Sequence, residues 1–328
     1  MPRELDEDDV RVRPGKRSRP RSRLRPAHDD AVPAEVVTVD RGRYRLRVQG
    51  RHVSAVRARE LGRRAVVVGD RVDAVGDLSG DPDALARIVR VHERTSLLRR
   101  TPDDTDPLER PVVANAELLV VVTALADPPP RPRLVDRCLV AAYDGGLEPL
   151  LCLTKSDLAP PDEVLALYAP LGVEAVVVGR HGEAYDVEPL RARLAGRTSV
   201  LFGQSGVGKS TLVNALVPDA GRAVGEVSGV GKGRHTSSSA VALVLPGGGT
   251  VVDTPGVRSF GLGAVTPDDV LRAFPDLLEA ATACLPGCTH AEGEPRCGLD
   301  AAVADGAATP ERLDSLRRLL LALGGDDT

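Results

Sequence analysis

The sequence contains no tryptophan, three phenylalanines and four tyrosines, so aromatic side chains make up only 2% of its 328 residues. Its cores must be built from Val, Leu and Ala. No apolar run approaches a membrane span; the best, Leu118 to Ala126, is far too short. No membrane partner is expected. The N-terminus opens on acidic residues without an apolar stretch, so no secretory signal is expected and the cytoplasm is the expected compartment. Lysine is scarce: Lys16, Lys155, Lys209 and Lys232 are the only four among 43 basic residues. In a chain that uses Arg by default, a Lys marks a place where a compact ammonium is wanted. Cysteines number five, an odd count, and Cys284, Cys288 and Cys297 cluster within fourteen residues. In a cytoplasmic chain that clustering reads as metal before disulfide.

What is present describes a soluble globular protein, 42% apolar and 27% charged, long enough for two or three domains. The net charge is −4, yet residues 11–64 carry 17 Lys or Arg against 5 Asp or Glu. This excess of 12 on an otherwise acidic chain points to a polyanion partner, foremost nucleic acid. Residues 1–31 have no hydrophobic period and read as a disordered basic tail, either an arm for that partner or a solvated end.

From residue 32 to 93 the chain shows five short β-type runs: Glu35–Val39, Tyr44–Val48, His52–Val56, Arg71–Val75 and Ala86–Val91. They predict a small barrel of the OB type. Arg41, Arg43, Arg45, Arg47, Arg51, Arg57 and Arg59 are expected at its exposed positions, several at strand spacing, a face suited to RNA. Tyr44 is the one aromatic available to stack on a base, so recognition by backbone and shape is expected. Residues 94–114 read as a Pro- and Asp-rich linker. Strands at Glu117–Leu125, Pro149–Leu153, Glu174–Val178 and Thr198–Phe202 then alternate with helices at Pro132–Tyr143, Asp162–Ala169 and Val187–Ala195. This predicts an α/β sheet with mostly parallel strands, continuing through a hairpin of Ser239–Leu245 and Thr250–Asp253. The expected domains are therefore a barrel at 32–93, an α/β domain at 94–262 and a mostly helical domain at 263–328.

Gly203-Gln204-Ser205-Gly206-Val207-Gly208-Lys209-Ser210 is a complete phosphate-loop pattern, preceded by an apolar strand and followed by a helix that opens with Thr211. Its glycines let backbone N–H groups wrap phosphates at a helix N-terminus. Lys209 is expected on the β and γ phosphates and Ser210 on Mg²⁺. Asp253-Thr254-Pro255-Gly256 follows a strand and offers Asp253 to Mg²⁺ and the Gly256 N–H to the γ phosphate. Thr154-Lys155-Ser156-Asp157 ends another strand. The Asp157 carboxylate can accept from guanine N1–H and the exocyclic amine, whereas adenine offers no N1–H. GTP is therefore the expected nucleotide, and an ATPase follows only if Asp157 does not face the base. The base motif precedes the phosphate loop, the reverse of the usual order, so the domain is circularly permuted.

The terminal cluster, Cys284-x3-Cys288-x-His290-x6-Cys297, offers three thiolates and an imidazole, a closed tetrahedral set for one structural Zn²⁺. With Ala114-Asn115-Ala116-Glu117, Leu134-Val135-Asp136-Arg137, Gly233-Arg234-His235-Thr236 and the permuted motif order, the chain resembles the RsgA family of small-ribosomal-subunit biogenesis GTPases over roughly residues 32–300. The resemblance implies an OB barrel, a permuted GTPase domain and a zinc domain. It also implies binding to the small ribosomal subunit and its rRNA late in maturation, with the subunit stimulating hydrolysis of GTP to GDP. A monomer is expected.

In the segment 231–237, Thr236 is the expected second Mg²⁺ ligand, with Ser237 close enough to compete. Val257 stands where many GTPases keep a water-orienting glutamine, which leaves His235 to position water or, alternatively, to cap the loop or contact RNA. Thr154 stands where GTPases more often have Asn and can make only part of the link between base and phosphate loops. Val178-Gly179-Arg180 replaces the usual Ser-Ala loop, whose work on guanine O6 falls largely to backbone N–H. Two other readings share these motifs: a GTPase of mature ribosomes in translation, and an RNA-binding protein whose nucleotide is structural. Binding to the polyanion partner should weaken steeply with salt. Binding unchanged both by salt and by deletion of residues 1–64 would refute the electrostatic reading.

Overall fold

The computed structural model describes residues 28–40, 42–62, 66–81, 83–100, 110–181, 184–218, 240–254, 262 and 265–323. Five strands open the chain: β1 (Val32–Asp40), β2 (Arg43–Val48), β3 (Arg51–Arg57), β4 (Arg71–Gly76) and β5 (Ala86–Val91). They join in the order 1-2-3-5-4 and close where β1 pairs with β4, with β3 and β5 parallel. This is the expected OB-type barrel. Strict alternation in β2 sends Tyr44, Leu46 and Val48 inward and leaves Arg43, Arg45 and Arg47 outside. Tyr44 is thus core. It is not available to stack on a base, which corrects the sequence expectation. Arg45 donates to Ser54 Oγ at 2.8 Å and Arg47 pairs with Glu35, so part of the basic face is tied down on the sheet. Arg41 lies outside the described residues.

Residues 94–114 are not a linker throughout. β6 (Leu97–Arg100) and β7 (Arg110–Ala114) pair antiparallel across residues 101–109. The α/β unit follows: β8 (Leu118–Ala124), α1 (Pro132–Gly145), β9 (Glu148–Thr154), α2 (Asp162–Tyr168) and β10 (Glu174–Val177). A short hairpin of β11 (Gly179–His181) and β12 (Ala184–Asp186) was not foreseen from the sequence. Next come α3 (Glu188–Leu194), β13 (Thr198–Phe202), α4 (Lys209–Leu216), β14 (Val241–Val244) and β15 (Thr250–Asp253). Strands β10, β9, β8, β13 and β15 are parallel in that order, and β14 runs antiparallel beside β15. Strand β8, apolar except for Thr123 and buried at every position, belongs at the centre of such a sheet.

Barrel and α/β sheet are continuous, because Thr38 of β1 pairs with Val241 of β14. A bulge between Val36 and Thr38 lets neighbouring residues serve two cores, Val36 in the barrel and Val37 in the α/β unit. The joint is fastened further along. Buried Asp70 accepts Arg94 Nε at 2.7 Å, Arg94 Nη2 at 2.9 Å and the Val67 N–H at 2.8 Å. Asn115, from the motif noted above, donates to the Gly69 carbonyl at 2.8 Å and accepts the Thr95 N–H at 2.9 Å. Gly69 has φ +85°, and a Cβ there would lie 2.0 Å from the Ala114 carbonyl oxygen, so only glycine fits.

The chain ends in α5 (Pro267–Leu271), α6 (Pro275–Ala281), α7 (Gly298–Ala304) and α8 (Pro310–Leu323). Helix α8 lies on α1. Arg318 Nε donates to buried Asp136 at 3.0 Å, and its guanidinium covers the Tyr168 ring at 5.2 Å. Burial raises the Asp136 carboxyl above its ordinary value, and the charge of Arg318 opposes that rise. Arg312 covers Phe274 at 5.1 Å, and Phe274 meets Tyr143 edge-on with centroids 5.8 Å apart. Three of the seven aromatics, Tyr143, Tyr168 and Phe274, gather at this seam.

Removing Arg94 strands a carboxylate with no exposed surface, so Arg94→Ala should cost about 3 kcal/mol. Urea unfolding measures it. A midpoint equal to that of the parent would show that the Asp70 pair does not brace the joint.

Candidate functional site

Parallel strands place their carboxyl ends on one edge of the sheet, where open α/β folds bind ligands. Four segments meet there: the residues after β8, the Thr154–Asp157 loop after β9, the phosphate loop after β13, and Asp253 at the end of β15. The structure therefore brings the two nucleotide motifs together, although the chain presents them in reversed order.

The phosphate loop is wedged against the sheet by close backbone approach. A Cβ on Gly203 would lie 2.6 Å from the Val122 carbonyl oxygen of β8 and 2.9 Å from Val207 Cγ2. Val207 points inward and is fully buried, while Ser205, Gly206, Ser210 and Thr211 face solvent and Gln204 is half-buried. Helix α4 starts at Lys209 after Gly208 in the left-handed region, and no side chain caps it, so its first-turn N–H groups face an incoming anion. Lys209 Nζ forms an ion pair with Asp253. Cation and carboxylate thus stand side by side, as a phosphate and its divalent counter-ion require. Thr254 is locked beneath by a bond to the Leu201 carbonyl at 3.0 Å.

The base loop is tied to the phosphate loop through Thr154. Its hydroxyl, fully buried, donates to the Val207 carbonyl at 2.6 Å, with the Thr123 carbonyl at 3.3 Å as a second acceptor. The link expected to be partial is thus made at its phosphate-loop end. Lys155 adopts φ +60° and reaches the Asp127 carbonyl after β8. Asp157 is exposed at the rim, and Oδ1 accepts the Arg180 N–H at 3.2 Å. Val178-Gly179-Arg180 closes over this loop: Ser156 N–H donates to Val178 O at 3.4 Å, and Val178 N–H donates to Leu153 O at 2.7 Å. A backbone N–H thus stands beside Asp157 where the missing Ser-Ala loop would act.

Tyr185, on β12 opposite Arg180, was absent from the sequence reading because strands of three residues give no usable period. Its half-buried ring packs on the α/β core. Burial first, then Cys152 and Asp157, push its hydroxyl up to about 12, against the opposing effect of Arg180, so it stays a neutral donor at physiological pH. Gly256, His235, Thr236 and Ser237 lie outside the described residues.

A second cluster lies in the C-terminal helices. His290 Nδ1 is 3.6 Å from Cys284 Sγ, 3.5 Å from Cys288 Sγ and 3.8 Å from Cys297 Sγ. All four ligand atoms lie within 4.8 Å of one another. Tetrahedral zinc bonds to sulfur and nitrogen would put such atoms about 3.6 Å apart, so the set fits the ion. The Gly298 N–H donates to Cys284 Sγ at 3.1 Å, and Arg317 Nε holds the His290 carbonyl at 3.0 Å. These bonds orient the ligands from behind.

A parallel sheet carrying a phosphate loop, with the base loop earlier in the chain, defines a circularly permuted GTPase. A family profile described as RsgA GTPase matches residues 91–263. The chain belongs to that family. The curated small ribosomal subunit biogenesis GTPase RsgA of Pseudomonas putida is 40% identical over 271 residues, 80% of this chain and 76% of that protein. The protein of the same name in Pseudomonas aeruginosa is 40% identical over 272 residues, 80% of this chain and 77% of its own length. Among solved structures, YjeQ from Thermotoga maritima matches with a TM-score of 0.65 at 25% identity, covering 90% of this chain and 99% of that one. YloQ, a circularly permuted GTPase, matches at 0.63 and 24% identity, covering 92% and 98%.

Gly203→Ala drives a methyl group into the β8 backbone and must displace the phosphate loop. GDP affinity should fall by at least about tenfold with the circular dichroism spectrum retained, given that overpacking costs roughly 1–3 kcal/mol. Unchanged affinity in a titration with GDP would show that the wedge does not set the loop.

Proposed function

We propose that this chain is a GTP-hydrolysing switch that binds the small ribosomal subunit through its rRNA and acts late in the subunit's maturation. The observation that carries the nucleotide reading is the bond from Thr154 to the Val207 carbonyl, which holds base loop and phosphate loop as one pocket. The partner reading is supported by the names of the curated relatives at 40% identity and by the Arg-lined outer face of the barrel.

In this reading Thr154, Lys155, Ser156 and Asp157 receive guanine, with Asp157 exchanging its Arg180 N–H bond for the base edge. Residues 203–211 cradle the phosphates, and Lys209 leaves Asp253 for phosphate oxygens. Ser210, Asp253 and Thr236 hold Mg²⁺, which when bound neutralises charge on the phosphates. The Gly256 N–H senses the γ phosphate. His235 positions water, the aliphatic Val257 being unable to. Cys284, Cys288, His290 and Cys297 hold one structural Zn²⁺, and the protein acts as a cytoplasmic monomer. The functional units run over 32–93, 94–262 and 263–328, behind a basic tail at 1–31.

Zinc should measure one per chain by elemental analysis and drop to none in Cys288→Ser. A parent protein purified without metal and equally stable would remove zinc from the account. The function itself is tested by GTP and ATP hydrolysis with and without small ribosomal subunits. GTP-selective turnover that rises strongly with subunits is expected. Equal use of ATP, or no stimulation, would overturn the switch reading.

A further inference from the structure

Helix α8 begins well past Cys297, the last member of the Cys/His cluster, yet one of its side chains reaches back to the turn that carries His290. Arg317 Nε donates to the His290 carbonyl at 3.0 Å, and Nη2 donates to the Ala291 carbonyl at 3.3 Å. Nη2 also bonds both carboxylate oxygens of Asp300, at 2.8 and 2.9 Å, in the first turn of α7. Gly298, at the head of that same helix, gives its N–H to Cys284 Sγ. One guanidinium thus ties the His290 turn to the helix whose first residue holds a thiol. The Arg317 side chain is mostly buried, at 14% exposure.

His290 needs such a hold. Its φ of +59° puts a non-glycine residue in the left-handed region, a conformation that persists only where the surroundings impose it. The residue is buried, and Nδ1 is the atom that faces the three sulfurs. A rotation of the backbone at this position would carry Nδ1 out of the set. Arg318, the next residue of α8, turns the other way to Asp136 on α1, so α8 links the cluster to the α/β unit.

We propose that Arg317 is a positioning residue for the metal ligand His290, aimed by Asp300, so that the four ligands at 284–297 reach full zinc affinity only with α8 docked over them. The inference rests on the reading of the Cys/His cluster as a zinc site. A ligand turn fixed beforehand loses less of the binding energy to ordering. Partners that orient a ligand in this way change metal affinity by about ten- to a hundredfold. By linkage, what α8 contributes to zinc binding, zinc contributes to the seat of α8.

The test is the zinc affinity of the full chain, by competition with a chromophoric chelator, together with thermal midpoints with and without zinc. The parent is compared with Arg317→Met, Asp300→Asn and Arg312→Met. Arg312 lies on the same helix but bonds Asp276 and the Pro170 carbonyl. Arg317→Met keeps an aliphatic stem and loses the fork. It should bind zinc at least about tenfold more weakly, and zinc should raise its midpoint by less than it raises the parent's. Asp300→Asn leaves Arg317 in place and should weaken zinc binding in the same direction by a smaller factor. Arg312→Met should lower the midpoint with zinc affinity within about twofold of the parent's. An Arg317 that only packs α8 would behave like Arg312, its loss lowering both midpoints alike with zinc affinity unchanged. That result would overturn the inference while leaving the zinc site intact. Should Arg317→Met fail to fold, unchanged zinc affinity in Asp300→Asn would overturn it equally. A parent that binds no zinc would overturn the site itself, and the inference with it.

Discussion

The hydrogen bond from Thr154 to the Val207 carbonyl joins two loops separated by 53 residues and by an intervening strand of the sheet. The pocket proposed for the nucleotide rests on this bond, because a ligand gripped at both ends needs elements that have no covalent reason to stay together. The chain enters the fold at a different point from ordinary GTPases, yet the carboxyl ends of β9, β8, β13 and β15 still share one edge. Circular permutation is tolerated for this reason: a pocket is defined by which strand ends are adjacent in space, and the order of synthesis is immaterial to that adjacency.

The C-terminal helices share one apolar core with the α/β unit, the barrel keeps a second core of its own, and ionic and aromatic contacts add to both joints. On one side β1 extends the central sheet, and the Asp70–Arg94 and Asn115–Gly69 contacts fix its angle. On the other, α8 rests on α1 through Arg318 and Asp136, with Tyr143, Tyr168 and Phe274 gathered at the seam. Helix α1 follows β8, and the loop between them supplies the Asp127 carbonyl that receives Lys155. The Cys/His cluster reaches the same helix pair through Arg317, which grips the His290 backbone one residue before Arg318 grips Asp136.

Local chemistry was legible and long-range partnership was not. The strand Thr198–Phe202 and the barrel runs could be read because period-two patterning and Gly or Asp punctuation are local signals. The Cys/His set was legible from spacing alone. The β6–β7 hairpin escaped because Leu97-Leu98 and Val112-Val113 are apolar pairs too short to show a period. Tyr44 was misplaced although the alternation with Arg43 and Arg45 already pointed it inward beside Leu46. Arg318 and Asp136, 182 residues apart, carry no mark of each other in the sequence. Nor does anything in Tyr185 announce that a three-residue strand will carry it beside Arg180.

The central claim is that the loop after β9 reads guanine although it comes first in the chain. Its most direct measurement compares GTP with XTP binding in the parent and in Asp157→Asn. Guanine presents N1–H and an amine to the carboxylate, whereas xanthine presents a carbonyl where the amine was, which an amide can satisfy. The account predicts that the parent prefers GTP and that the variant reverses the preference. A variant that still prefers GTP would contradict the account and place the base somewhere other than Asp157.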